Sequence, residues 1–328
     1  MFYSVKTLND IGEREAIRII KSILSKGLES IGIGDDCAAF DIDGRYLLVS
    51  TDMITASTHI PNSMNPWEIG WFITAINFSD IAAKGGRILG MVLSLGLPVD
   101  TSEDFLVSII KGADSCARRY KTSIVGGDTK ENKELTLSGT VFGLVPKEQF
   151  MSRKGAKVGD IIAVTGSLGK AAAGFLAMQK GCSRDFTRDL FQPTPRVSEG
   201  IRLGELKVIH ASMDISDGLS SSLYQLGEVN NVGFEIWLDS IPISNRLIEV
   251  CDSQECIDNS VLHFGGDYEL LLILPEDKFL EVKHELDLLG TNITKIGRVR
   301  RDLEILLKDR NGVYTVLPDL GYEHFKHR

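Results

Sequence analysis

Aspartates recur in this chain where an apolar run stops and glycine, serine or threonine begins. Asp52 follows the apolar run Tyr46 to Val49 and the two hydroxyl residues Ser50 and Thr51. Other acids share this setting, and they are Asp35 and Asp36 in GIGDD, Asp128 in GGDT, Asp214 and Asp217 in DISDG, and Asp267 in GGDY. Any one of them alone fits an ordinary turn or cap. Together they favour a common site, because strand ends carry the ligand sites of many α/β proteins.

Asp80 lies in a different setting, on a helix predicted from Pro66 to about Lys84. That helix is apolar on nearly every side, which is typical of a buried helix. Asn77, Asp80 and Lys84 share one stripe along it. A buried carboxylate costs free energy unless it meets a partner. We therefore predict that Asp80 belongs to the site, with a structural salt bridge to Lys84 as the alternative.

Clustered aspartates predict a site for a hard divalent cation. Mg²⁺ prefers oxygen ligands and is usually shared between carboxylates and substrate phosphates, and no group of His and Cys residues suits a softer metal. Phosphoryl transfer requires neutralised phosphate charge and an aligned donor and acceptor. Glycines beside the acids would let backbone N–H groups approach phosphates as well. The pattern therefore predicts an enzyme that uses a magnesium-bound nucleotide.

The turn GSLGK (166–170) superficially resembles a phosphate-binding loop. A Walker A loop has four residues between its glycines and Ser or Thr after its lysine. Here two residues separate Gly166 from Gly169, and Ala171 follows Lys170. We therefore predict a structural turn.

Composition excludes several classes of protein. A net charge of −9 argues against a nucleic-acid partner, since phosphates are neutralised by basic surfaces. Five cysteines, without a Cys-x-x-Cys pair, indicate neither a disulfide framework nor a zinc ribbon. The sequence has no signal region and no apolar run long enough for a membrane. We expect a cytoplasmic protein without a membrane partner.

Alternating strands and helices predict a mixed α/β (α+β) fold, and 328 residues favour two domains. We expect these at 1–150 and 151–328, joined by Met151 to Asp160. Arg153, Lys154 and Lys157 in this linker are either solvated charges or a cationic loop suited to a triphosphate. One helix is predicted from after Asp10 to Gly27. Further helices are predicted to begin at Pro66, before Phe105, near Ala171, after Arg196, at Leu219 and near 277. The predicted strands are 46–52, 88–98, 134–145, 161–165, 233–238, 269–275, 293–299 and 303–307.

Six blocks, taken in order, resemble the thiamine-monophosphate kinase family. They are GIGDD (32–36), STDMITASTH (50–59), NFSDIAAKGG (77–86), GGDT (126–129), DISDGL (214–219) and GGDYEL (265–270), and the ending GYEHF (321–325) is also similar. The resemblance implies ATP-dependent phosphorylation of thiamine monophosphate to the diphosphate, with several Mg²⁺ ions. It also implies a first domain with helices on one side of its sheet, which pairs with a second copy into a β-barrel homodimer.

The resemblance also assigns roles to individual residues. The implied Mg²⁺ ligands are Asp36, Ser50, Thr51, Asp52, Asp80, Asp128, Asp214 and Asp217, of which we expect Asp52, Asp128 and Asp214 to matter most for catalysis. The implied ATP contacts are Gly127, Asp128, Arg153 and Ser216. His59 matches a substrate-contacting histidine, and Tyr322 matches an aromatic residue that packs on the thiamine moiety.

One block departs from the family pattern, which usually reads Gly-Gly-Glu-Asp-Tyr-Glu-Leu. This chain lacks one residue there, so Gly266 takes the place of the substrate-contacting glutamate if Asp267 to Leu270 align. Asp267 is then the candidate to replace that glutamate.

Two alternatives stay open. One is a related ATP-using enzyme, such as aminoimidazole ribonucleotide synthetase, selenophosphate synthetase or a hydrogenase-maturation protein. The reactive cysteines expected near the N-terminus of the second and at the C-terminus of the third have no match, since the first cysteine is Cys37 and the sequence ends HFKHR. The other is a magnesium-nucleotide-binding module without turnover.

Overall fold

The computed structural model describes residues 6–326. Its helices are α1 (Leu8–Ile23), α2 (Pro66–Ala83), α3 (Glu103–Arg119), α4 (Lys170–Gln179), α5 (Arg188–Phe191), α6 (Val197–Leu206), α7 (Leu219–Asn230), α8 (Asn245–Val250), α9 (Gln254–His263) and α10 (Phe279–Asp287). Its strands are β1 (Ala38–Ile42), β2 (Arg45–Thr55), β3 (Arg87–Leu97), β4 (Ile124–Glu131), β5 (Thr136–Pro146), β6 (Ile161–Thr165), β7 (Ala211–Asp214), β8 (Gly233–Trp237), β9 (Leu270–Leu274), β10 (Ile293–Arg300), β11 (Ile305–Lys308) and β12 (Tyr314–Val316). The chain is therefore a mixed α/β protein, as predicted.

The strands form two separate sheets. The first has five strands in the order β1-β2-β5-β3-β4, and the second has seven in the order β12-β11-β8-β10-β6-β9-β7. In the first sheet only β3 and β4 are parallel. In the second sheet only β8 and β11 are parallel. Each sheet has its own apolar core, so the functional side chains are held by two packed bodies rather than one.

Helix α2 begins where the sequence predicts, after the N-cap Asn65. The Asn65 side chain accepts a hydrogen bond from the Glu68 backbone, Glu68 answers in a capping box, and Pro66 stands at the first helical position. The helix packs across β2, β5 and β3, and its other neighbours include α3, α6 and β7. Covered on all these sides, α2 buries apolar residues round its circumference. It joins the two bodies and carries polar groups into the space between them.

The GSLGK segment is a structural turn, as predicted. The carboxylate of Asp267 accepts the backbone N–H groups of Gly169 (2.6 Å) and Ala171 (3.0 Å) at the start of α4. Lys170 pairs with the buried Glu269. The helix end that would receive a phosphate in a phosphate-binding loop is thus already occupied by a carboxylate of the chain itself.

Helix α1 differs from the prediction in its bounds, since it runs over Leu8–Ile23 rather than from after Asp10 to Gly27. Thr7 is the N-cap and Asp10 is the capping acid at the third position, while Gly12 interrupts the helix at φ 76°. The apolar residues that repeat at helical spacing along it are exposed, with Ile23 at 74% and Leu24 at 60%. The reason is that α1 is held through charges, Arg14 to Asp319 and Arg18 to Glu228, which leaves the apolar stripe facing outward.

Cysteine pairing is a second difference. Cys251 and Cys256 form a disulfide that closes the turn between α8 and α9. The sequence indicated no disulfide framework, because cysteines five residues apart carry no pairing signal until a turn brings them together. The short elements β1, β7, β12, α5, α8 and α9 were also not predicted.

Candidate active site

Strand β2 delivers the first group of site residues. Ser50 and Asp52 point to the buried face, where the Ser50 hydroxyl donates to the Asp36 carbonyl (3.1 Å) and to the Asp80 carboxylate. Thr51, between them, points to the other face, as alternation along a strand requires, and its hydroxyl donates to the Gly139 carbonyl (2.7 Å). The structure therefore brings Ser50 and Asp52 into the site and directs the Thr51 side chain away from it.

Asn77 of α2 holds strand β2 in place at Asp52. Its amide oxygen accepts the Asp52 backbone N–H (3.2 Å), and its amide nitrogen donates to the Ile73 carbonyl (2.8 Å). A Cβ at Gly139 would lie 2.6 Å from the Asn77 amide nitrogen. The glycine on β5 is therefore what lets the helix approach the sheet closely enough for this contact.

Three carboxylates, one from a loop, one from a helix and one from a strand, converge between the two bodies. Oxygen atoms of Asp36, Asp80 and Asp214 all lie within 4.8 Å of one another. Asp80 comes from α2 and Asp214 from the end of β7, where it accepts a hydrogen bond from Ser79 (2.6 Å). We call Asp36, Asp80 and Asp214, together with the adjacent Asp52, the carboxylate cluster.

The cluster carries more negative charge than its surroundings neutralise. Burial, followed by repulsion from Asp214, raises the pKa of Asp52 to about 7. Burial and the charge of Asp36 raise the pKa of Asp214 to about 6. Burial and the charges of Asp52, Asp214 and Asp36 raise the pKa of Asp80 well above its usual range. Such shifts mark sites where a positive charge from outside the protein is favoured.

Beside the cluster lies a neutralised pair of acids. The fully buried Lys84 ammonium lies 2.7 Å from a carboxylate oxygen of Asp35 and 2.7 Å from one of Asp36. The Arg153 guanidinium binds the other Asp36 oxygen. The pKa of Asp35 is lowered, because Lys84 and hydrogen bonds from Arg153 and Ser152 outweigh the opposing effect of burial. Asp80 therefore does not pair with Lys84, and the salt-bridge alternative from the sequence is wrong.

Asp36 belongs both to the carboxylate cluster and to the pair neutralised by Lys84 and Arg153. One of its oxygens shows whether the site suits a metal ion. Asp36 Oδ2 lies near Lys84 but accepts no hydrogen bond, although it is buried. An ion-pair contact without hydrogen-bond alignment leaves lone pairs free, and a carboxylate oxygen of Asp36 lies within 4.8 Å of oxygens of Asp80 and Asp214. A set of hard carboxylate oxygens with uncompensated charge fits Mg²⁺.

The loop after β7 brings Ser216 and Asp217 to the same edge. The Ser216 carbonyl accepts the Gly266 N–H (2.7 Å), so the DISDG and GGDY loops lie against each other. Burial and the nearby Glu13 raise the pKa of Asp217 to about 6, which Arg14 and Arg153 partly oppose. Glu13 of α1 is thus a neighbour of the site that the sequence gave no reason to select.

Gly127 and Asp128 lie apart from the cluster, on the edge strand β4. Asp52 pairs with Gly139, Gly139 with Leu93, and Leu93 with Gly127. Neighbouring strands are about 4.8 Å apart, so three steps across the sheet separate Gly127 from Asp52 by about 14 Å. The Asp128 side chain is 60% exposed, with Lys130 at 3.7 Å. Among the predicted carboxylate ligands, packing within the chain leaves Asp128 exposed.

His59 and Tyr322 approach each other through a third ring. His59 lies in the loop after β2, and its ring centre is 5.2 Å from that of His324. His324 in turn lies edge to face with Tyr322 at 4.8 Å. The sequence selected His59 and Tyr322 but not His324, whose only signal was its place in the GYEHF ending.

An apolar cavity of about 300 Å³ opens beside His59. Its walls come from the loop after β2 and from three helices, and they include Met64, Phe72, Phe175, Met178 and Phe191. Aromatic and thioether side chains of this kind suit a flat heteroaromatic ligand. Asp267 does not line this cavity; it is 8% exposed and its oxygens are engaged at the start of α4.

The fold and the site define a class of protein. Residues 34–145 match the N-terminal domain of AIR synthase related proteins, and residues 157–308 match their C-terminal domain. Hydrogenase maturation protein HypE from E. coli shares this fold at a TM-score of 0.73, with 19% identity over 94% of this chain and 97% of HypE.

Within that class, closer relatives share one name. Thiamine-monophosphate kinase from Methanospirillum hungatei is 38% identical over 95% of this chain and 99% of its own length. AaThiL complexed with AMPPCP and TMP has a TM-score of 0.86 and 28% identity, covering 98% of this chain and 100% of AaThiL. The chain belongs to the thiamine-monophosphate kinase family, and it is a kinase.

Proposed function

We propose that this protein transfers the γ-phosphoryl group of ATP to thiamine monophosphate, forming thiamine diphosphate. The observation that carries the proposal is the carboxylate cluster between two bodies, in a chain that also has an apolar cavity lined by His59. A kinase needs a charge-neutralising centre next to a shaped acceptor site. The relative complexed with AMPPCP and TMP supports ATP and thiamine monophosphate as the two substrates.

Several Mg²⁺ ions would be held by Asp36, Ser50, Asp52, Asp80, Asp214 and Asp217, with Asp128 as a further ligand. Thr51 would contribute only through its backbone, because its side chain faces the other side of the sheet. When bound, the ions would neutralise phosphate charge. The unaligned Asp36 oxygen and the raised pKa values of Asp52 and Asp214 support this set.

Arg153, Ser216, Gly127 and Asp128 would bind ATP. Arg153 donates hydrogen bonds to Asp36 and to Gln225 (2.9 Å), which hold its guanidinium beside the carboxylate cluster. Gly127 tolerates no side chain, because a Cβ there would lie 1.8 Å from the Leu93 carbonyl oxygen. Its exposed strand leaves backbone beside Asp128 accessible to a phosphate chain.

His59, Tyr322 and the apolar cavity would hold the thiamine moiety. Asp267 is proposed to act in the same site by fixing the start of α4, which carries the cavity residues Phe175 and Met178. In this position it supports the substrate pocket in place of the family's missing glutamate.

We propose direct in-line transfer without a phosphoenzyme. The acceptor is a phosphate monoester with a second pKa near 6, so it is largely ionised at neutral pH and needs no general base. Among residues 6–326, Cys37 adjoins the cluster, but it is buried and burial raises the pKa of its thiol well above its usual range, so it is not an activated nucleophile. Positioning and charge neutralisation are then what the protein supplies.

Product analysis and stereochemistry test these proposals. ATP should convert thiamine monophosphate, and neither thiamine nor formylglycinamidine ribonucleotide, into a phosphorylated product, and EDTA should abolish the reaction. ATP made chiral at its γ-phosphorus should give inverted configuration in the product. Net retention, or a burst of ADP before acceptor is added, would rule out direct transfer.

We also propose a homodimer in which two five-stranded sheets close a β-barrel. The sheet face turned away from α2 exposes apolar side chains that a monomer would normally cover, including Met53 at 60%, Leu89 at 52% and Val125 at 60%. Equilibrium sedimentation should give twice the chain mass, and Leu89→Asp should shift it toward the monomer.

Two further proposals concern organisation and location. The two sheets support domains at 1–150 and 151–328, with Met151 to Asp160 between them. We propose a cytoplasmic location, which fractionation of the host cell would test. Within residues 6–326, no helix combines the length and the apolar character that crossing a membrane requires.

A further inference from the structure

The C-terminal segment that carries Tyr322 is anchored to the rest of the protein at several points. The Tyr322 backbone N–H donates to the Asp217 carbonyl (3.0 Å). Gly321 lies so close to α7 that a Cβ would come within 2.4 Å of the Ser221 Cβ. The His324 backbone N–H donates to Glu13 on α1 (3.1 Å). The backbone on both sides of the Tyr322 ring is therefore fixed.

The ring of Tyr322 itself has little support. Tyr322 is 51% exposed, and a half-exposed aromatic side chain can adopt several rotamers. The Tyr322 ring packs on His324, whose ring meets it edge to face at 88°. The Tyr322 hydroxyl lies 3.2 Å from His324 Nδ1, at hydrogen-bonding distance. His324 therefore contacts Tyr322 twice, through its ring and through Nδ1.

The same imidazole reaches the other body of the molecule. Its centre lies 5.2 Å from that of His59, whose Nδ1 is engaged by the Thr58 hydroxyl (2.6 Å). His59 also lines the apolar cavity. His324 thus lies between Tyr322 and His59, the two residues proposed to contact the thiamine moiety.

We propose that His324 is a positioning residue that holds the Tyr322 ring in the orientation that receives thiamine monophosphate. This inference rests on the proposed function, because it assigns His324 a part in binding that substrate. Holding a ring in its bound rotamer before the substrate arrives saves the free energy of ordering it. His324 would accordingly affect the binding of thiamine monophosphate and leave ATP binding unchanged.

Steady-state kinetics on single and double variants test the role. His324→Leu should raise KM for thiamine monophosphate about tenfold, the size of a lost aromatic contact, with KM for ATP and kcat within about twofold. His324→Asn keeps a polar group near the position of Nδ1 and should lie between wild type and His324→Leu. His284→Asn, an exposed histidine on α10, is the matched control and should behave as wild type.

The decisive comparison is made in a Tyr322→Ala background. If His324 acts through Tyr322, adding His324→Leu to Tyr322→Ala should change KM no further. A full additional tenfold rise would overturn the proposal, as would equal rises in KM for both substrates, which a loosened C-terminal segment would give. If wild type forms thiamine diphosphate and His324→Leu has the wild-type KM, only the positioning role fails. If wild type does not form the diphosphate, the proposed function fails and the role with it.

Discussion

Two groups of acids lie side by side in this site, and they differ in what neutralises them. Asp35 and Asp36 meet Lys84 and Arg153, which belong to the chain. Asp52, Asp80 and Asp214 meet mainly hydroxyls and one another. The pKa of Asp35 is lowered, by Lys84 and hydrogen bonds against the effect of burial, whereas the pKa of Asp52 is raised to about 7 by burial and Asp214.

The difference separates acids that form structural ion pairs from acids that are free to bind a ligand. Charge that the chain neutralises by itself stabilises the fold in every state of the protein. Charge that the chain leaves unneutralised destabilises the fold until a cation arrives, so it is retained for what it binds. Asp36 touches both groups, and through it the structural cations fix one edge of the proposed metal site.

The largest effect should follow from removing a charge of the second group. Asp52→Asn should lower kcat about a thousandfold at saturating Mg²⁺, because metal-based charge stabilisation is worth several kcal/mol. The metal-free variant should nevertheless be more stable than wild type at pH 8, because a buried repulsion is gone. Asp128→Asn should also lose turnover, but without that gain in stability, since its side chain is exposed. Activity near wild type in either variant would remove that residue from the site.

The opposite response should follow from removing a cation of the first group. Lys84→Met leaves Asp35 and Asp36 buried without their ammonium, which should cost about 3–5 kcal/mol in the free energy of unfolding. Urea denaturation at pH 7 measures it. The matched control is Lys130→Met, whose exposed pair with Asp128 should change stability by less than about 1 kcal/mol. Equal losses in the two variants would show that Lys84 is not a structural partner.

The sequence predicted the acids of the site better than their neighbours. Local signals selected these acids: a neighbouring glycine, the end of a strand, or a polar stripe on a helix. The acids are Asp36, Asp52, Asp80 and Asp214. Lys84 was visible on the same stripe as Asp80, but which acid it meets depends on how α2 lies between two sheets. The same holds for the apolar stripe of α1, whose period predicts a helix but not the charged contacts that leave it exposed.

The two groups of acids should also affect the free energy of unfolding in opposite ways as the pH changes, and in different pH ranges. For Asp52, Asp214 and Asp217 the folded pKa values of about 7, 6 and 6 lie above the ordinary aspartate pKa of about 3.9. The folded protein then binds protons that the unfolded chain releases, so stability falls as the pH rises from about 4 to about 7. Asp35 acts the other way: its lowered pKa gives stability above about pH 4 that is lost as the pH falls further.

Thermal unfolding without metal should therefore show greatest stability near pH 4 to 5, with a loss on the order of a few kcal/mol by pH 8, since each unit of pKa shift corresponds to about 1.4 kcal/mol. Mg²⁺ should remove most of that loss, because a bound cation favours the ionised carboxylates. Asp52→Asn should flatten the same region without metal, while Asp128→Asn should keep the wild-type slope. A metal-free protein whose stability is constant from pH 5 to pH 8 would show that the carboxylate cluster is already neutralised from within the chain, and the distinction between the two groups of acids would fail.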